Sequence, residues 1–325
     1  MITNEPPTLD QVFENLKQAA LQADLKDRVA AFAAEILRTY IHSGEYRKYF
    51  QLWESCGVHV TPVHFYFPIP DTRELPATLW ETPSEVPGLD LNERAQLVLL
   101  SSFRRFGSEC DSIPIQEQKD PGEFYFSNPN FGGTDALVLY CMIRHFQPAA
   151  VIEVGSGFSS RMIRRAVRKN GCGRVTCIDP FADSGLPEWF SEAAVRREPV
   201  QDVELSLFEG LCRGDILFID SSHVARIGSD VNYLFLEVIP RLKPGVIVHV
   251  HDISLPMEMR KDWVLDEMRF WTEQYLLQAF LAFNRHFEVL MANCYLELRQ
   301  PDALRATFPH SPWWGGGSFW MRRLA

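Results

Sequence analysis

No two cysteines in this chain stand at C-x-x-C spacing. The seven that it has, Cys56, Cys110, Cys141, Cys172, Cys177, Cys212 and Cys294, are scattered and odd in number. That leaves little basis for a zinc site or a disulfide framework, and buried reduced thiols in a cytoplasmic protein are the expectation. Long apolar runs are also missing. No segment approaches the roughly 20 apolar residues of a membrane span. The stretch from Met1 to Asp10 is polar and contains proline, without the apolar centre of a signal peptide. Positive charge is in deficit: 32 Lys and Arg against 42 Asp and Glu give a formal net charge of −10. A broad nucleic-acid-binding face is therefore not expected. The densest basic run, Arg161 to Lys169, falls on an expected helix and reads as its solvated face. Internal repeats and low-complexity tracts are absent.

What is present is enough apolar residue, 46% of 325, for a large core and one big domain with an attached region. Up to about residue 120 the pattern is helical and interrupted. Leu9 to Tyr40 places Leu16, Ala19, Ala20, Ala30 and Ile36 on plausible core faces, and proline-rich stretches follow at 62–76 and 83–87. From about 121 the pattern alternates between strand and helix. Strands are expected at Val151–Val154, Arg174–Ile178, near Glu198–Val203, at Asp215–Ile219, Val246–Val250, Phe287–Leu298 and Gly317–Arg322. Helices are expected at Ala136–Phe146, Ser159–Lys169, Ser229–Leu242 and Trp263–Phe283. The fourth-to-fifth connection ends at Lys243-Pro244-Gly245, a clean stop signal. Short apolar strands between helices imply a mostly parallel sheet covered on both faces. The last two strands, read as joined without a helix, should include an antiparallel one. The expected division is a helical N-terminal cap, 1–120, and a cofactor-binding domain, 121–325.

In an open α/β sheet, ligands gather at the carboxyl ends of the strands. The first strand ends in Gly155, Ser156 and Gly157, where the backbone can approach a ligand and a helix N-terminus offers free N–H donors. Glu153 inside that strand would repel a dinucleotide phosphate and suit a cationic cofactor, which points toward S-adenosylmethionine (SAM). Asp179, at the second strand's end, can accept both ribose hydroxyls of an adenosyl group. Gln201 and Asp202 follow the third strand and are candidates for adenine contact. The fourth strand ends in Asp220, Ser221, Ser222 and His223, and the fifth carries His249, His251 and Asp252. Each has a plainer alternative: Asp179 as a cap before Pro180, the histidines as packed core residues.

These segments together resemble a class I SAM-dependent methyltransferase. The resemblance is carried by Val151–Gly157, Cys177–Pro180, Asp215–Asp220, Leu242–Asp252 and the terminal strand near Gly315–Arg323. It covers roughly residues 120–325 and implies a Rossmann-like, mostly parallel seven-stranded sheet with an antiparallel last strand. Within that class the chain is most similar to bacterial small-molecule O-methyltransferases of the macrolide-sugar type. That likeness implies SAM bound by Glu153, Gly155, Ser156, Gly157, Asp179, Gln201, Asp202 and Ser221, and a sugar or secondary metabolite as acceptor. It also implies Asp220 and Asp252 as ligands of Mg2+ and His223 as the general base. The chain departs from the pattern at Ile253, where related metal-dependent enzymes often carry Asn or Asp, so the residues leave metal dependence open. The segment Phe124–Asp135 is expected to close over the cofactor. His64 and Tyr66 in a proline-stiffened strap, with His251 and His310, are the candidate acceptor contacts; homo-oligomerisation is left open. Two rival readings share the glycine turn: an NAD-dependent oxidoreductase, against which Ser160 stands where a third glycine is wanted, and a non-catalytic SAM-fold binding module.

Overall fold

The computed structural model describes residues 8–191 and 193–325. The chain forms two compact units, Met1–Leu75 and Pro76–Ala325. The expected boundary near 120 is thus displaced. The helix Glu93–Phe103 packs against β6 (Phe287–Ala292) and the helix Pro301–Thr307, so its apolar residues belong to the second unit's core. No helix among the described residues is long and apolar enough to cross a membrane.

The first unit holds the helices Leu9–Leu21, Lys26–His42 and Tyr46–Ser55. The helical pattern over Leu9–Tyr40 falls in two of them. Thr8 caps the first of them in a reciprocal capping box with Gln11, and the chain turns at Gln22–Leu25 before the next begins.

The second unit is built on a seven-stranded sheet: β1 (Ala150–Val154), β2 (Arg174–Ile178), β3 (Ala193–Arg196), β4 (Ile216–Ile219), β5 (Ile247–Val250), β6 and β7 (Phe319–Arg323). Their spatial order is β3-β2-β1-β4-β5-β7-β6, with β7 antiparallel to both neighbours and the pairs from β3 to β5 parallel. Alternation along each strand feeds two cores. Val151, Ile216 and Phe218 face the helices Gly133–Phe146 and Phe158–Asn170. Ile152, Val154, Leu217 and Ile219 face the helical run 230–241 and the helix Glu273–Leu281. Fully burying each such side chain stabilises by roughly 1.5–3 kcal/mol. Beside β1 the strand order reverses, and that switch point opens a crevice at the strand ends.

Four expected elements come out differently. The third strand is Ala193–Arg196, because Pro199 lacks an N–H for a ladder and Val200–Asp202 winds into a short 3-10 turn. The helix expected over Trp263–Phe283 is broken into Lys261–Leu265 and Glu273–Leu281, with Met268 in the left-handed region at φ 55° between them. The strand expected over Phe287–Leu298 stops at Ala292, opposite the first residue of β7, and continues as the helix Asn293–Arg299. The last two strands are consequently joined through helices, although β7 does run antiparallel. The helix expected over Ser229–Leu242 is present as a continuous but irregular run, with a wide turn at Leu234–Val238 ahead of Pro240.

Candidate functional site

The glycine turn after β1 is fixed by its neighbours. Gly155 adopts φ 85°, and a Cβ there would lie 1.9 Å from the Asp220 carbonyl oxygen, so only glycine lets β4 end this close to β1. Gly155 N donates to Ile178 O and Asp220 N to Val154 O, both at 2.9 Å, which ties the ends of β1, β2 and β4 together. Asp179 accepts from Ser156 N (3.0 Å) and Ser156 Oγ (2.8 Å) through Oδ2, and from Phe181 N (2.7 Å) through Oδ1. It therefore braces the turn while standing at its edge.

Glu153 does not face this crevice. Its carboxyl is fully buried and accepts from Ser159 Oγ (2.7 Å), Ser160 Oγ (2.6 Å) and Cys177 Sγ (3.2 Å). Burial pushes its pKa up to about 7, against the opposing pull of those donors. The expectation that it selects a cationic cofactor by direct contact is thus corrected. Strand alternation turns Glu153 to the face of Val151, where it pins the N-terminus of the helix Phe158–Asn170 to β1.

A cavity of about 780 Å³ lies over the strand ends, lined among others by Gly155, Ser156, Asp179, Gln201, Asp220 and Ser221. Gly157 also lines it, and Gln201 donates to Gly228 O at 3.0 Å. Ser221 Oγ is buried without a hydrogen-bond partner. Asp202 is exposed and outside the lining, because the 3-10 turn points it to solvent.

A second cavity, of about 630 Å³, shares Asn130, Phe131 and Asp220 with the first. Asp135, His251, Asp252, Arg260, Trp263 and Trp313 are also in its wall. Asp220 therefore stands where the two cavities meet. The expected closing segment Phe124–Asp135 does reach this place: Asn130 and Phe131 border both cavities.

Around Asp220 the structure assembles alternating acids and imidazoles. His223 Nε2 lies 3.3 Å from Asp220 Oδ1 and 3.4 Å from Asp252 Oδ2, and His223 Nδ1 lies 2.9 Å from Glu273 Oε2. His251 Nδ1 is 3.2 Å from Asp252 Oδ1 and 3.7 Å from Asp220 Oδ1, while its Nε2 is 3.6 Å from Asp135 Oδ2. Both His223 (φ 61°) and Asp252 (φ 56°) take the left-handed backbone region, strain of about 1–3 kcal/mol each that the surrounding contacts must hold. Burial lowers the His223 pKa, but Asp220 and Glu273 outweigh it and raise it to about 10. Burial likewise opposes the charge on His251, and Asp252 and Asp220 still lift its pKa well above the ordinary value. Asp220 would be raised by burial, but His251 and His223 bring it down to about 2.

The sequence-derived residues thus divide. Asp220, His223, His251 and Asp252 come together, and Asp220, His223 and Asp252 offer ligand atoms within 4.8 Å of one another. His223 is buried behind the two aspartates and is in the wall of neither cavity. His310 is exposed and outside both cavities. His64 and Tyr66 belong to the first unit, where they are exposed and border a cleft with Tyr46 and Lys48. His249 is a packed core residue: it stacks on Phe218 at 3.9 Å between centroids and meets Ser318 Oγ at 3.0 Å.

Two residues went unread in the sequence. Asp135 accepts from Asn293 Nδ2 (2.8 Å), Gly317 N (2.9 Å) and Ser318 N (2.9 Å) as well as facing His251. Its signal was an acid near a helix start, which reads as an ordinary first-turn residue. Glu273 lay inside an expected amphipathic helix and carried no signal of its own.

The chain is similar to several known proteins. Residues 152–253 match the family model described as a methyltransferase domain. An uncharacterized protein of Archaeoglobus fulgidus is 32% identical over 160 residues, which cover 46% of this chain and 72% of that protein. The O-methyltransferase TomG of Streptomyces achromogenes, involved in tomaymycin synthesis and solved with SAM, is 17% identical. It aligns over 70% of this chain and 89% of its own, at a TM-score of 0.39. An O-methyltransferase of Bacillus cereus, solved with S-adenosylhomocysteine (SAH), is 12% identical over 70% of this chain and 91% of its own, at 0.37. The chain belongs to the methyltransferase-domain family and is a class I SAM-dependent methyltransferase.

Proposed function

We propose that the protein transfers the methyl group of SAM to a hydroxyl oxygen of a small molecule, such as a sugar or a secondary metabolite. SAM would occupy the cavity over β1 and β2, with its ribose hydroxyls on Asp179 and its adenine beside Gln201. The acceptor would occupy the neighbouring cavity, whose size suits a small molecule. The observation that carries this reading is Asp220, the carboxylate that borders both cavities. Methyl transfer is an in-line displacement at the sulfonium carbon, so a junction that holds both partners supplies much of what the reaction needs.

The acceptor hydroxyl must also lose a proton. Asp220 and Asp252 would hold it, and His223 behind them is the base we propose; because, burial notwithstanding, Asp220 and Glu273 raise its pKa to about 10, it would act in its neutral form and turnover should rise with pH toward that value. The two carboxylates, Asp220 and Asp252, also suit a divalent cation completed by water. Bound there, Mg2+ would polarise the acceptor hydroxyl and offset the negative charge of Asp220 and Asp252.

The test is incubation with methyl-labelled SAM and a panel of catechol, a hydroxybenzoate and methyl glycosides, with and without Mg2+. The reading expects a methyl ether on at least one. Product only on amine-bearing controls, or none with any hydroxyl compound, counts against it.

A further inference from the structure

The wall of the second cavity has an acidic floor and a basic mouth. The side chains of Arg260, Glu267 and Arg269 are 58%, 43% and 40% exposed, against 30% or less for Asp135, His251, Asp220 and Asp252. Both arginines stack on Trp263, with Cζ 4.9 and 5.2 Å from the ring centroid, and Arg269 Cζ also lies 4.9 Å from the centroid of Trp271. The two indoles meet edge to face at 5.2 Å. Stacking fixes the plane of a guanidinium and leaves its N–H edge open to a carboxylate. The broken helix makes this possible. Met268 takes φ 55°, and Arg269 N donates to Trp263 O at 2.8 Å, which folds Arg269 back onto the helix Lys261–Leu265.

The arginines are not equally committed. Arg260 holds Asp262 by two bonds, Nε to Oδ1 at 3.1 Å and a terminal nitrogen to Oδ2 at 2.5 Å. Arg269 meets Glu267 Oε2 through one terminal nitrogen, at 2.6 Å. An ion pair this exposed is weak, so another carboxylate can displace Glu267.

We propose that the acceptor is a hydroxy acid, whose carboxylate pairs with Arg269 at the cavity mouth while its hydroxyl lies at Asp220 and Asp252. This rests on the reading of the cavity as the acceptor site and names its substrate class. Charge sets the orientation. Turned inward, the carboxylate would meet Asp135, Asp220 and Asp252, between which His251 is already shared. Turned outward, it meets a guanidinium held on two indoles. Trp263 and Trp313, in the same wall, offer flat surfaces to the ring of such an acid.

The experiment uses the full chain and two matched pairs: a hydroxybenzoate against its methyl ester, and methyl glucuronide against methyl glucoside. Affinity for the SAH-bound protein is measured by calorimetry, and turnover with SAM. The wild type should bind the acid of at least one pair about 10- to 100-fold more tightly than its neutral partner. Arg269→Gln should raise Kd and KM for that acid by a similar factor, with SAH affinity unchanged, and Arg269→Lys should restore part of the loss. Glu267→Gln removes the competing carboxylate and should tighten the acid by about 2- to 5-fold, a gain that a damaged fold does not produce. The proposal is overturned if neither acid binds, if neither binds better than its neutral partner, or if the preference survives Arg269→Gln. Methyl ethers formed on the neutral compounds alone leave transfer to oxygen standing and remove the hydroxy acid. An acid held through Arg269 beside methylation of amine-bearing controls only does the reverse: it keeps the anion contact and removes transfer to oxygen.

Discussion

Glu153 and Gly155 are two residues apart and carry different kinds of constraint. At Gly155 the constraint is steric, since a methyl group would collide with the Asp220 carbonyl and φ is 85°. Gly155→Ala should therefore cost about 1–3 kcal/mol of stability in a denaturant titration and weaken SAH binding measured by calorimetry. At Glu153 the constraint is electrostatic. Its folded pKa, about 7, is raised above the ordinary 4.5 by burial. The folded state thus binds the proton more tightly than the unfolded chain. The group's favourable contribution is complete below about pH 4.5 and is lost as pH rises through about 7, a change on the order of 3 kcal/mol. Glu153→Gln should flatten the fall in melting temperature over that window. An unchanged pH profile in the variant would remove Glu153 as its source. In the sequence this residue looked like a cofactor contact because it precedes the glycine turn. Only the alternation of β1 reveals that its side chain faces the core.

Among the elements, the strands between β1 and β5 were legible wherever four or five apolar residues run up to a Gly or an Asp. Ile216–Ile219, running straight into Asp220, is the clear case. Legibility failed where the partner, not the segment, decides the structure. The apolar run after Phe287 continues beyond Ala292, but β7 provides no ladder there, so the chain coils into a helix. Trp263–Phe283 has helical spacing, yet a break at 266–272 lets Thr272 and Glu273 serve His223. Asp135 plays a comparable joining part, binding the Gly317–Ser318 entry to β7 and the start of the helix Asn293–Arg299 to the helix Gly133–Phe146. Removing a buried partner of this kind leaves several donors and an imidazole unmatched. Asp135→Ala should destabilise the protein by about 3–5 kcal/mol in urea titration. A cost below about 1 kcal/mol would mean that the β7 entry is held by packing alone.

At the scale of the molecule, the side chains of both core clusters come from Val86 onward, within the unit Pro76–Ala325. A chain beginning at Pro76 should accordingly fold cooperatively and bind SAH as the full chain does; loss of folding would mean that the first unit is needed for the core. The strand-end carboxylates Asp179, Asp220 and Asp252 were readable because polar residues stand out at the ends of apolar strands. Their convergence was not, since it depends on strand order and on left-handed turns at His223 and Asp252. The central claim is that donor and acceptor meet at Asp220. Its most direct test compares turnover and SAH affinity in Asp220→Asn, a change that keeps the side chain's shape and removes its charge. The account predicts methyl-ether formation reduced at least about 100-fold with SAH affinity nearly intact. Wild-type turnover in that variant, or parallel loss of SAH binding and turnover, would contradict it.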